Sequence, residues 1–246
     1  MDMQKSVQKI SSLARDILKG DIRVVFEMGA NDCEDTIGFA GEFPSATIYA
    51  FECNPATIPL DKKKIGSFKN IVFIEKAISD KEGPLTFFPT TNGNTGASSL
   101  FKESGEYPVE TYNQREVVVD ATTISAFVAE RGIRGIDILW MDMQGAELMA
   151  LKGSGDFIDK IKIIHAEAEF MEVYKGQPLF KEFRKYLESH GFVLYGFTHF
   201  GRYSCDAIFI NQALPISPLR KNTIYPFWAY FWKYISFAMR KLGSHE

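Results

Sequence analysis

Apolar residues recur along this chain in two rhythms. Val7, Ile10, Leu13, Ala14, Ile17 and Leu18 fall at the spacing of one helix face, and Gly20 follows as a stop. Beyond that point the pattern changes to short apolar blocks separated by helix-length amphipathic stretches. The blocks at 22–28, 47–52, 70–78, 136–141 and 161–167 are rich in Val, Ile and Phe, as strands buried on both faces are. Helices are predicted at 33–42, at 123–131, at 147–152 and at 179–190, and another opens at Asn54-Pro55, with Asn54 as N-cap and Pro55 in the first turn. Residues 85–88 begin a return strand and 117–119 form a short one. Blocks 192–197 and 205–210 are too close for a helical crossover and read as an antiparallel hairpin. Strands alternating with helices and closed by a hairpin predict an α/β fold, a mostly parallel Rossmann-like sheet with helices on both faces. The chain divides into an amphipathic helix at 1–21, the α/β domain at 22–212, and a hinge with an aromatic helix at 213–246.

The chemistry begins in 22–52. There the order is strand, Glu27-Met28-Gly29-Ala30-Asn31 turn, helix, strand, then Glu52 at the strand tip. This is the opening unit of a nucleotide-binding sheet. A dinucleotide site requires G-x-G-x-x-G so that the backbone can approach a pyrophosphate. Only Gly29 is present here, and Cys33 stands near the place of the last glycine. Asp32 puts negative charge at the helix start, where a phosphate would otherwise bind. A ligand with a ribose and an amino-acid part but no phosphate fits better, and S-adenosylmethionine is such a ligand. On this reading Gly29 lets the chain pass close to the ligand, and the Glu52 carboxylate takes the ribose hydroxyls. The plainer alternative is an ordinary turn glycine and a surface glutamate.

The net charge of −3 gives no support for a nucleic-acid surface. Cys33, Cys53 and Cys205 are odd in number and widely spaced, which suits a reducing compartment and offers no zinc or disulfide framework. With no signal-peptide pattern at the start, a cytoplasmic location is expected. Residues 89–115, with Pro89, TTNGNTGASS, Gly105 and Pro108, are the least regular stretch. A connection of that length is the place for a lid or binding loop. At 224–243 apolar and aromatic residues dominate, with Lys233, Arg240 and Lys241 as the charges. Peripheral membrane contact, packing on the domain and a homo-oligomer contact are weighed equally for it.

Four motifs together resemble the FkbM-type S-adenosylmethionine-dependent methyltransferases. They are VVFEMGAN (24–31), YAFECNP (49–55), AISDKEG (77–83) and IDILWMDMQGAELMALKG (136–153), and the likeness extends over about 22–210. The resemblance implies a class I methyltransferase sheet, S-adenosylmethionine as cofactor, and O-methylation of a sugar, glycan or small metabolite. Three positions depart from the family pattern. Cys33 replaces a usual glycine, Gln144 a usual Glu, and Trp140 a common lysine. A non-catalytic adenosyl-binding module is the alternative these departures leave open, and a nicotinamide-dependent oxidoreductase is disfavoured by the missing glycines.

Asp142, just past the fourth strand, lies where ligands bind in open α/β sheets. It is the first candidate for a base that takes a hydroxyl proton, for a hold on the cofactor's amino group, or for a metal ligand. A helix N-cap is its plainer role. Glu167 ends the fifth strand and is the second catalytic candidate. Asp142, Glu167 and Glu169 together are the candidates for a divalent metal, whose need is unknown. The resemblance assigns Glu27, Gly29, Asn31, Glu52 and Asp142 to the cofactor, Ala77 and Ile78 to the adenine wall, and Ser98, with Ser99, to a closing loop. Glu147 matches the family's Gly-Ala-Glu acid but also suits a helix's first turn. His165 is expected to be a packed strand residue, and His199, placed in the loop between the last two strands, is a weaker base candidate.

Overall fold

The computed structural model describes residues 3–214. In it the strands are β1 (Val24–Met28), β2 (Thr47–Phe51), β3 (Ile71–Ile74), β4 (Ala77–Ile78), β5 (Gly83–Phe87), β6 (Val117–Thr122), β7 (Ile136–Met141), β8 (Ile161–Glu169), β9 (Phe192–Phe200) and β10 (Ser204–Asn211). The helices are α1 (Met3–Leu18), α2 (Glu34–Glu42), α3 (Ile58–Ile65), α4 (Ile124–Arg131), α5 (Glu147–Lys152) and α6 (Phe180–Ser189).

Seven of the strands pair in the order β3-β2-β1-β7-β8-β10-β9. The first five are parallel, and β10 runs antiparallel to both β8 and β9. The order reverses between β1 and β7, which places a ligand crevice beyond their carboxyl ends. The apolar blocks are continuous because both faces are covered. Leu139 and Met141 of β7 face one core with Phe127 of α4, Leu151 of α5 and Phe183 of α6. Ile138 and Trp140 face the other, with Ile10 of α1 and Phe39 of α2. Arg15 on α1 ties to Glu42 on α2 at 2.7 Å across the second layer.

Three expectations change. The block at 70–78 is not one strand. Its centre, Glu75-Lys76, is exposed, and there the chain leaves the main sheet, so β4 joins β6 and β5 in a separate three-stranded sheet. The helix expected at Asn54-Pro55 starts only at Ile58, because the Asn54 side chain accepts from Ala56 N at 3.0 Å and closes a turn first. His199 lies inside β9 and not in the loop, because the hairpin strands are longer than their apolar cores. The aromatic segment at 224–243 lies outside the described residues. Among the described residues no helix is long and apolar enough to cross a membrane.

Candidate active site

A cleft opens at the carboxyl ends of β1, β2 and β7. Gly29, Asn31, Glu52, Ala77, Ile78, Ser98 and Asp142 all line it. Glu27 does not. Its carboxylate is buried beneath the turn and accepts a hydrogen bond from the Thr36 hydroxyl of α2. Burial pushes that carboxyl well above the usual range.

Gly29 has φ +85°, and a Cβ placed on it would fall 1.9 Å from the Asp142 carbonyl oxygen. The glycine is therefore required by the close approach of β1 to β7, where Asp142 N donates to Met28 O at 3.0 Å, as well as by any ligand. Asn31 and Cys33 continue the turn with positive φ of 43° and 59°. Cys33, fully buried, thus occupies a left-handed position that a glycine would take without strain.

Glu52 stands at the tip of β2 with its carboxylate fixed by three main-chain donors. Oε2 accepts from Asn31 N at 2.7 Å, and Oε1 accepts from Cys53 N at 2.8 Å and Asn54 N at 2.6 Å. Burial raises its pKa, and these donors oppose the rise. A carboxylate has about four acceptor positions, so this one keeps an acceptor for a group in the cleft. Phe51, Phe87 and Leu100 extend the apolar wall begun by Ala77 and Ile78.

Residues 89–115 do cover the cleft, and they are more ordered than their composition suggests. Isolated bridges join Phe88 to Ser99, Thr90 to Gln114 and Glu103 to Tyr174, and a 3₁₀ turn spans Thr95–Ala97. Thr95 donates to the Asn31 side chain at 3.0 Å, and Ser98 Oγ accepts from Thr90 N at 3.1 Å. Ser99 donates to the Gln144 carbonyl at 2.7 Å, which pins the loop to the turn after β7.

That turn joins the two predicted catalytic carboxylates. Gln144 Nε2 donates to Asp142 Oδ1 at 2.6 Å and to Glu167 Oε2 at 2.7 Å, while its Oε1 accepts from the buried Tyr174 hydroxyl at 2.8 Å. A neutral amide with two N–H donors can satisfy two acids at once, as a Glu in its place could not. Burial raises both carboxyls, and the hydrogen bonds from Gln144 and Glu167 counter the rise at Asp142. Asp142's own charge lifts Glu167 further. Of the two, Asp142 lines the cleft and Glu167 does not.

More acids surround this pair than the sequence motifs indicated. Asp206 of β10 lies opposite Glu167 in register, and burial, with Asp142 nearby, pushes it up to about 7. Asp35, in the first turn of α2, rises to about 7 for the same two reasons. Glu169 also rises to about 7 by burial, and accepts from Gln177 Nε2 at 2.7 Å. Asp206, Tyr174 and Gln177 escaped the sequence reading. A lone acid in the apolar run CDAIFI was the one available signal.

Glu147 turns back to accept from Met143 N at 2.6 Å and is buried, so it closes the turn. Asp142 does not cap α5, whose N-cap is Ala146. His165 stacks on Trp140 with ring centroids 3.8 Å apart and bonds Thr198 Oγ1 at 2.6 Å. Burial lowers its pKa to about 3, so it stays neutral in the packed sheet. His199 is half-buried opposite Asp206. Among the described residues no three His, Cys, Asp or Glu side chains are arranged to hold a metal ion. Asp142 and Glu167 face the Gln144 amide, and Glu169 faces that of Gln177.

The profile of the Methyltransferase FkbM domain matches residues 27–194. The 2-O-methyltransferase NoeI of Sinorhizobium fredii is 27% identical over 161 residues, covering 63% of this chain and 66% of NoeI. The 31-O-demethyl-FK506 methyltransferase FkbM of Streptomyces tacrolimicus is 27% identical over 196 residues, covering 70% of this chain and 73% of that one. The crystal structure of a methyltransferase FkbM from Methylobacillus flagellatus superposes with a TM-score of 0.51 at 14% identity, over 76% of this chain and 43% of the other. This chain thus spans about two thirds of NoeI and under half of the crystallised protein.

Proposed function

The chain belongs to the FkbM methyltransferase family, and from that premise we propose that it is an S-adenosylmethionine-dependent O-methyltransferase acting on a hydroxyl of a sugar, glycan or small metabolite. The observation that carries the proposal is the cleft's polarity. Glu52 offers a fixed acceptor to a ribose hydroxyl at one side. Ala77, Ile78 and Phe87 offer an apolar slot to a base. Asp142, at the other end, faces the region where an ammonium and a sulfonium would lie. The two carboxyls in the lining, Glu52 and Asp142, suit a cationic ligand better than a pyrophosphate. The printed names of two relatives, a 2-O-methyltransferase and a 31-O-demethyl-FK506 methyltransferase, support oxygen as the acceptor atom.

Bound there, the cofactor supplies a methyl carbon made electrophilic by its positive sulfur. The residues of this chain do the rest. Glu52 and the Gly29 turn fix the cofactor, and the 89–115 loop excludes water from the cleft. Asp142 would orient the acceptor hydroxyl and take its proton. The cofactor, held by Glu52 and the Gly29 turn, would supply the methyl group and leave as a neutral thioether. Gln144, which donates to both Asp142 and Glu167, holds the Asp142 carboxylate in place.

Calorimetric titration with S-adenosylmethionine, S-adenosylhomocysteine and NAD tests the cofactor. Binding of both adenosyl ligands is expected, and binding of NAD alone refutes the proposal. Methyl transfer to a panel of hydroxyl acceptors tests the reaction. Asp142→Asn is expected to lower kcat by about 10²- to 10⁴-fold, the range of a lost general base. Unchanged turnover in that variant removes Asp142 from the mechanism.

A further inference from the structure

The opposite edge of the sheet carries a second concavity. It lies at the amino ends of β1, β7 and β8 and has about 970 Å³ of open space. Arg23, Arg134, Lys160 and Lys162 line it, against Asp137 and Asp159. The acids do not neutralise it evenly. Asp137 is buried and already committed, with Oδ2 accepting from Arg23 N at 2.8 Å and Val24 N at 3.0 Å, and Oδ1 meeting Lys162 Nζ at 2.7 Å. Arg23, Arg134 and Lys160 are exposed around it. None of the four cations belongs to the methyl-transfer cleft.

The chain leaves the described residues at this concavity, since Leu214 is part of its wall. The segment beyond Leu214 has a composition of its own. Residues 215–246 contain five Lys or Arg against the single acid Glu246, and two of the chain's three tryptophans, Trp228 and Trp232. The remaining residues then hold 23 Lys or Arg against 30 acids. The net charge of −3 therefore hides a divided molecule. An acidic body carries a cation-lined hollow, and a basic, aromatic segment departs from that hollow. The cations of the hollow and those of the segment alike complement an anionic partner. Tryptophan and tyrosine interleaved with Lys and Arg suit the headgroup level of a bilayer, where rings meet both phases and cations meet phosphates.

We propose that the protein docks on an anionic lipid bilayer through this edge of the sheet, with Arg23, Arg134 and Lys160 meeting lipid phosphates. The acidic cleft edge then points away from the like-charged surface. β1 and β7, five and six residues long, run from this hollow to the cleft and set the separation at roughly 15–20 Å. The docked enzyme would reach acceptors that stand off the membrane.

Vesicle co-sedimentation of the full chain tests this independently of any acceptor. Phosphatidylcholine vesicles are compared with vesicles containing phosphatidylglycerol, at low and high salt. Binding is expected only with phosphatidylglycerol, and is expected to weaken at high salt as surface charges are screened. An Arg23→Ser, Arg134→Ser, Lys160→Ser variant is expected to partition on the order of a hundredfold more weakly, at about fivefold per cation near the surface. Asp159→Lys is expected to bind more tightly, and melting curves check that both variants fold. The proposal is overturned by no binding to either vesicle, by binding indifferent to headgroup charge, or by variants that partition as wild type does. Capture of free inorganic phosphate without vesicle binding overturns it too. So does self-association abolished by the same substitutions, which assigns the face to a second copy of the chain.

Discussion

Gln144 shows how one side chain decides the meaning of its neighbours. By type it is uncharged, and read along the chain it weakens any pairing of acids at this point. In space it is the hub of the site. It has φ +53°, donates to Asp142 and Glu167, and accepts from Tyr174 and, through its carbonyl, from Ser99. Two acids that would otherwise repel are held by one amide, with the loop over the cleft fastened to the same residue. Gln144→Met keeps the length and removes both donors. The expected result is a tenfold to hundredfold loss of kcat, a fraction of what a lost base costs. Affinity for S-adenosylhomocysteine stays within about twofold, because Gln144 does not line the cleft. Steady-state kinetics beside calorimetry separates the two effects. Of the residues around Gln144, Asp142 and Glu167 were legible from motif and strand position. Tyr174 and Asp206 were not, because their partners lie 30 and 39 residues away in the chain.

At the scale of elements, the motifs prove to be contacts between segments. The AIS of 77–79 and the LKG of 151–153 meet each other. A Cβ on Gly153 would fall 2.1 Å from the Ser79 carbonyl oxygen, and Gly153 has an ordinary φ of −68°. Close approach alone therefore requires this glycine. Gly153→Ala pushes α5 off the strand that carries Ala77 and Ile78 of the cleft wall, at an expected cost of about 2 kcal/mol in a urea unfolding curve. Cofactor affinity is expected to fall with it. The fate of 70–78 makes the complementary point. Its apolar character was visible, but two exposed charges in the middle mark the place where the chain passes from one sheet to the other. Strand propensity cannot show that change of partner.

The whole molecule gathers raised acids at one edge of its sheet. Asp35, Glu169 and Asp206 stand near 7, against ordinary values of 3.8, 4.5 and 3.8. Between about pH 4 and pH 7 the folded chain therefore binds more protons than the unfolded chain does, and stability falls as pH rises through that window. Thermal melts from pH 5 to pH 7.5 are expected to show a declining midpoint. A cationic cofactor relieves the same repulsion. The stabilisation by S-adenosylmethionine, relative to neutral S-adenosylhomocysteine, is accordingly expected to be larger at pH 7.5 than at pH 5. A rising midpoint over this range would contradict this arrangement of acids.

The sequence by itself determined the alternation of elements, the antiparallel closure, the single-glycine turn with an acid one strand away, and hence the class of ligand. Each rests on a local period, a turn residue or a short-range motif, which the chain expresses wherever it folds. Only the tertiary structure decided that Glu27 faces Thr36 and not the cleft, that Gly29 answers to Asp142, and that an amide couples the two acids of the site. It also showed that cations collect where the basic segment departs. These depend on side chains far apart in sequence brought within a few ångströms, and burial, which shifts their charge, exists only once the sheet is packed.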